Sequence, residues 1–165
     1  MKLRILSVFA AAALLAACET APDSSATSAG EGVSTTNQPS STSSALSESS
    51  PEWFAVNVGD RVFFGFDKYD LSGEARRTLE LQSAWLKKYP QYKVVVEGHA
   101  DERGTREYNL ALGERRANSV KDYLVALGID PSRVETISYG KERPVALGHD
   151  EESWAKNRRS VSVIR

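Results

Sequence analysis

Chemistry in this chain concentrates in one stretch, VEGHADERGTREYNLALGERRA, from Val96 to Ala117. Gly98, His99, Asp101, Glu102, Arg103 and Gly104 fall within seven residues, too polar and too flexible a run for either regular element. Asn109, Leu112 and Arg116 follow downstream. Charged groups of both signs on a loop are well placed to grip something polar, provided the flanking elements hold the loop still. Glu97, His99 and Asp101 alternate as if on one strand face, with His149 elsewhere, and raise the question of a metal. A catalytic zinc site needs three well-placed ligands and a water, and nothing here has ligand pairs at helical spacing. No metal is expected, and His99 is assigned to orienting Asp101 or packing at the end of the sheet.

The elements that must position these residues are legible on either side. Lys93–Val94–Val95–Val96 is short and β-branched, the mark of a buried strand. From Tyr108 the period changes, and Leu110, Gly113, Ala117, Val120, Leu124 and Leu127 recur as one face of a helix. Gly128 ends it and Ile129 covers the cap. Upstream, Val62 to Phe66 reads as a first strand, with Gly65 marking a bulge or a close backbone approach. Asp67 to Asp70 is a polar loop. A helix is predicted from a Ser72 cap to Tyr89, stopped by Pro90, with Ala75, Leu79, Leu86 and Tyr89 buried and Leu81 and Trp85 alongside. Downstream come a third strand over 134–139, a loop over 140–148 and a short helix from Asp150 through Asn157. A last strand over 161–164 puts Val161 and Val163 on one face. The economical architecture is an α/β layer, an α+β sandwich of order β-α-β-α-β-(α)-β. Its four-stranded mixed sheet is packed by two main helices and a short third.

Composition bounds the rest. A chain of 165 residues, 41% hydrophobic, has room for one folded domain. A net charge of −1 gives no basic footprint, so nucleic acid is not an expected partner. Residues 1–17 read as a signal peptide, with Lys2 and Arg4 ahead of an apolar run too short to span a bilayer. The only cysteine, Cys18, directly follows Leu15-Ala16-Ala17. That arrangement resembles the lipobox of bacterial lipoproteins, which implies a lipid-modified N-terminus at Cys18. Several acyl chains would make the anchor stable where one would not. Glu19 is not the aspartate that favours inner-membrane retention in many such proteins, so the outer membrane, facing the periplasm, is expected. Cleavage leaves 19 Lys+Arg against 22 Asp+Glu, a net charge of −3. Half of residues 19–50 are Ser or Thr and none is aromatic. The expected domains are therefore the signal peptide, a lipidated tether over 18–52, and a folded domain over 53–165.

The stretches FDKYDLSGEA, EGHADERGTREYNLALGERRANSVKDYL and SYGKERPVALGHDEESWAKNRRSV together resemble the OmpA-like peptidoglycan-binding domain, over roughly residues 60–165. The lipobox and Ser/Thr tether match the family's lipoprotein members. The resemblance implies a non-covalent grip on peptidoglycan through meso-diaminopimelate of the stem peptide. It further implies an outer-membrane anchor, a role in envelope integrity and cell division, the periplasmic partner TolB of the Tol system, and no cofactor. Diaminopimelate presents an ammonium and a carboxylate on one carbon. Asp101 would accept from the ammonium and Arg116 would take the carboxylate through two parallel hydrogen bonds. The alternative is that Asp101 and Arg116 pair with each other. On this reading Arg116→Ala abolishes wall binding and leaves the fold intact.

By the same resemblance Gly65, Phe66 and Asp67 line the pocket with backbone groups and an aromatic wall. Asn109 braces the loop, Leu112 touches the ligand's methylene stem, and Arg103 and Arg158 pair with further carboxylates of the peptide. Arg106 stands where relatives often carry proline, a departure expected to affect the loop's stiffness more than its chemistry. The competing function class is a wall-cleaving enzyme. An amidase would need a metal or a nucleophile, and the single cysteine is already assigned to the anchor. A glycan hydrolase would need two opposed carboxylates with one held in an apolar setting, which the sequence does not display.

Overall fold

The computed structural model describes residues 46–165. The signal peptide, Cys18 and most of the expected tether lie outside the described residues. The chain enters through a short helix α1, Pro51–Trp53, which continues into a π-helical turn, Phe54–Gly59. Ser50 caps α1 through its side chain, and the Trp85 indole N–H donates to Glu48 O at 2.9 Å. Packing thus starts at Glu48. There follow β1 (Arg61–Phe63), α2 (Gly73–Lys88), β2 (Val94–His99), α3 (Arg106–Ala126), a 3-10 turn (Pro131–Arg133), β3 (Val134–Gly140), α4 (Glu151–Asn157) and β4 (Arg159–Ile164).

The sheet runs β1-β4-β2-β3, with β2 and β3 parallel and the other two pairs antiparallel. The expected order of strands and helices and the mixed four-stranded sheet are both present. The core joins Phe54, Val62, Phe64, Leu79, Trp85, Leu86, Val94, Val96, Val120, Leu124 and Val134. Side chains at Ser72, Thr105 and Asp150 each accept from the backbone N–H three residues on, fixing where α2, α3 and α4 begin. Arg106 is the first residue of α3, a position where proline is tolerated because its missing N–H would have no helical partner. Among the described residues, no helix is long and apolar enough to cross a membrane.

Several boundaries differ from expectation, each for a packing reason. β1 stops at Phe63, so Gly65 and Phe66 belong to a turn in which Lys68 N donates to Gly65 O. β2 runs on through Gly98 and His99, residues expected in the loop. It does so because Gly98 lies hard against Gly113 of α3; a Cβ at Gly98 would meet Gly113 O at 1.8 Å. Polarity suggested a loop, and the close approach of strand to helix overrides it. The expected stripe of α3 is buried at Gly113, Ala117, Val120 and Leu124, and the helix departs from it in its first turns. Leu110 is exposed, while Asn109, Leu112 and Arg116 face inward with Gly113 and Ala117. On α2, Leu81 is exposed and Gln82 is buried, donating to Gly59 O and accepting from the Ser162 hydroxyl. On β4 the residues buried most deeply are Arg159, Ser160 and Ser162, whereas Val161 and Val163 are half-buried.

Candidate functional site

Three segments meet at one end of the sheet: the β1–α2 loop, the β2–α3 loop and the first turns of α3. Between them lies a cavity of about 180 Å³ lined by Phe66, Asp67, Asp101, Arg103, Gly104, Tyr108, Asn109, Leu112 and Arg116. Seven of the nine residues expected from sequence line it. Gly65 and Arg158 stand behind the wall instead. Gly104 and Tyr108 line it without having been expected. Tyr108 was recoverable, since it precedes Leu112 by one helical turn and so shares its face.

Arg116 holds the site together. It is fully buried, and its guanidinium donates to three backbone carbonyls, two in the β1–α2 loop (Lys68 O at 2.8 Å and Gly65 O at 3.2 Å) and one at the end of β2 (His99 O at 2.7 Å). Three of its five N–H donors are used in this way. Burial pushes its pKa down to about 10; Asp101 and Asp67 pull it back up, and Arg158 pushes it down further. It therefore stays charged at neutral pH. An alanine at this position would remove the side-chain donor that ties the β1–α2 loop to the end of β2, so Arg116→Ala is expected to disturb the fold as well as wall binding, contrary to the expectation from sequence.

Asp101, 5% exposed, is held by Arg103 and Arg158. Arg103 donates through its backbone N–H, Nε and Nη2, and Arg158 through Nη1 at 3.3 Å. Burial raises the Asp101 pKa, but the hydrogen bonds from Arg103, with help from Arg158, outweigh it and hold the carboxyl below the usual range. Among the described residues no hydrogen bond or ion pair joins Asp101 to Arg116. Neither the free carboxylate nor the mutual ion pair expected from sequence is what the site contains. Arg158 is an internal tie as well, donating to Phe64 O at 3.1 Å and Glu151 at 2.6 Å.

The remaining walls have distinct tasks. Asn109 is buried and donates to Arg103 O at 2.8 Å, bracing the loop as expected. Gly104 sits at φ 90°, the left-handed region where a side chain is strained. Asp67 adopts φ 56°, uncommon for a residue with a Cβ, and its carboxylate accepts from the Tyr108 hydroxyl. Phe66 is exposed rather than part of the core, and with Trp154 it sandwiches Arg103, each ring centroid 4.1 Å from the guanidinium carbon. Glu102, pointing away, accepts from the Trp154 indole and lies 2.8 Å from His149 Nδ1.

His99 does not orient Asp101. The ladder shifts register between Gly98 and His99, and Asp101 lies beyond the end of β2. Glu97 and His99 keep the alternation, with His99 Nε2 3.6 Å from Glu97 Oε2, and Asp101 alone falls outside it. The His99 ring is 2% exposed, packs on Tyr139, and has no hydrogen-bond partner at either nitrogen among the described residues. Burial lowers its pKa to about 4, with Arg159 and Arg143 adding to the shift. Among the described residues no group of three His, Cys, Asp or Glu side chains could hold a metal ion.

The model of the OmpA family matches residues 63–158, more than half of the chain. The chain belongs to the OmpA family. A peptidoglycan-associated lipoprotein of Rhizobium meliloti (strain 1021) is 54% identical over 120 residues, 73% of this chain and 68% of that protein. One from Agrobacterium fabrum is 56% identical over 111 residues, 67% of this chain and 63% of that protein. This chain thus spans about two thirds of those relatives' own lengths. Among solved structures, the peptidoglycan-associated lipoprotein from Burkholderia pseudomallei matches with a TM-score of 0.66 and 42% identity. That match covers 70% of this chain and all of the other.

Proposed function

We propose that this protein is a non-catalytic clamp for peptidoglycan, anchored to the outer membrane by lipid on Cys18 and holding the diaminopimelate of the stem peptide in the cavity above Arg116. One observation carries the reading. A fully buried guanidinium, in ionic contact with no carboxylate among the described residues, lies under a small cavity that also exposes a buried carboxylate, Asp101. A buried cation without an anion in contact favours an incoming carboxylate, and two of the Arg116 N–H donors are still available to bind one. An amino acid that carries an ammonium beside that carboxylate meets Asp101 with its other end. Leu112 and Phe66 supply apolar contact for the methylene stem. The names of the relatives agree with a wall ligand and a lipid anchor. The Tol system and its periplasmic component TolB enter as expected partners through the resemblance alone.

The test is incubation of the protein with purified sacculi. Co-sedimentation without release of soluble muropeptides, and loss of sedimentation in Asp101→Asn, is the expected result. Muropeptide release that survives Asp101→Asn would make the protein an enzyme with its chemistry elsewhere.

A further inference from the structure

Asp101 has no acceptor position left over. An ionised carboxylate offers about four lone-pair positions on its two oxygens. Oδ1 takes the backbone N–H of Arg103 at 3.1 Å and its Nε at 3.2 Å. Oδ2 takes Arg103 Nη2 at 2.6 Å and Arg158 Nη1 at 3.3 Å. An ammonium that needs this carboxylate must displace one of the four donors.

The donors are not equally free to leave. The backbone N–H is fixed by the loop. Arg158 is 5% exposed and is tied to Phe64 O and Glu151 as well. The Arg103 side chain is 30% exposed, and a second carboxylate, Glu151, already lies 3.8 Å from its Nη1. Its guanidinium rests in the slot between Phe66 and Trp154. It can pass from one carboxylate to the other without leaving the aromatic faces, which attract a cation wherever it lies over them.

We propose that Arg103 is a built-in competitor for the ammonium subsite: it occupies Asp101 in the empty site and shifts to Glu151 when a ligand's ammonium arrives. The proposal rests on reading the cavity as a site for an α-ammonium carboxylate. Its consequence is selectivity. A dicarboxylate without an ammonium, such as pimelate, leaves Arg103 in place and gains nothing from Asp101. Affinity is given up in exchange for discrimination against anions that carry no cation.

The full chain is titrated calorimetrically with meso-diaminopimelate and with pimelate, and tryptophan emission is followed in parallel. Trp154→Phe identifies the Trp154 signal. Diaminopimelate is expected to change Trp154 emission, and pimelate is not. Arg103→Met keeps a chain between the rings and removes the charge, and should bind diaminopimelate about tenfold more tightly than wild type. Arg103→Lys, which keeps a competing cation, should fall between wild type and Arg103→Met. Weaker binding by Arg103→Met, with Arg103→Lys restoring affinity, would make Arg103 a direct ligand contact and overturn the proposal. Unchanged Trp154 emission on binding would overturn it too. Binding by Arg103→Met alone supports the competitor, whereas failure of both wild type and Arg103→Met removes the reading of the site and the competitor with it.

Discussion

A buried guanidinium must find acceptors, and at Arg116 those acceptors are the backbones of one loop and a strand end. Lysine keeps the charge but offers a single nitrogen in place of a planar fork, so it cannot reach three carbonyls in three directions. Arg116→Lys is expected to lower stability by about 3 kcal/mol, read from urea unfolding, and to weaken sacculus binding in the same protein. His99 is a second buried group with a measurable consequence. Its pKa is near 4 in the fold and about 6.5 in the unfolded chain. The unfolded state therefore takes up a proton first as pH falls. The stability present above pH 6.5 should decline between about 6.5 and 4, by up to roughly 3 kcal/mol. Asp101, held below its usual range, adds a further loss at lower pH, as its carboxylate protonates. His99→Phe should remove the decline in the higher window and leave the acidic one, as a pH series of thermal melts would show.

At the scale of elements, the site depends on how closely α3 approaches the sheet. Gly98 and Gly113 stand where strand and helix touch, and a Cβ on either would overlap its neighbours. Gly98→Ala should destabilise the fold by more than about 3 kcal/mol. Where the protein still folds, the helix must retreat, carrying Arg116 away from the His99 carbonyl. Gly113→Ala, whose added methyl meets the Ser138 hydroxyl at 2.4 Å and the Gly98 carbonyl oxygen at 2.9 Å, should cost less, because the hydroxyl can turn aside and the backbone overlap is smaller than the 1.8 Å approach at Gly98. Comparing the two melting temperatures tests this ordering, and equal losses would contradict it.

For the whole molecule, the sequence places a polar segment of Ser and Thr between Cys18 and the folded domain. A clamp on a tether gains effective concentration from its anchor rather than from extra contacts. Cys18→Ser is therefore expected to move the protein from the membrane to the soluble fraction while leaving the affinity of the isolated site for diaminopimelate within about twofold, measured by fractionation and calorimetry. Retention on the membrane without Cys18 would require another anchor.

The sequence by itself determined the order of elements from β1 onward, two of the helix caps and the end of the molecule where the chemistry lies. These follow from local rules: Ser72 and Asp150 satisfy the first N–H groups of their own helices, and Val94 to Val96 are β-branched whatever lies around them. Most of the residues lining the cavity were also legible, Asp101 and Arg116 from their charges and the others through the family resemblance. Only the tertiary structure decided which charge meets which. Arg116 bonds to residues 17, 48 and 51 positions away, and Arg158 reaches Asp101 across 57. Spacing along a chain carries no record of such distances. Nor could it show that Asp101 is already fully engaged by arginines, since saturation of a carboxylate depends on where donors converge in space.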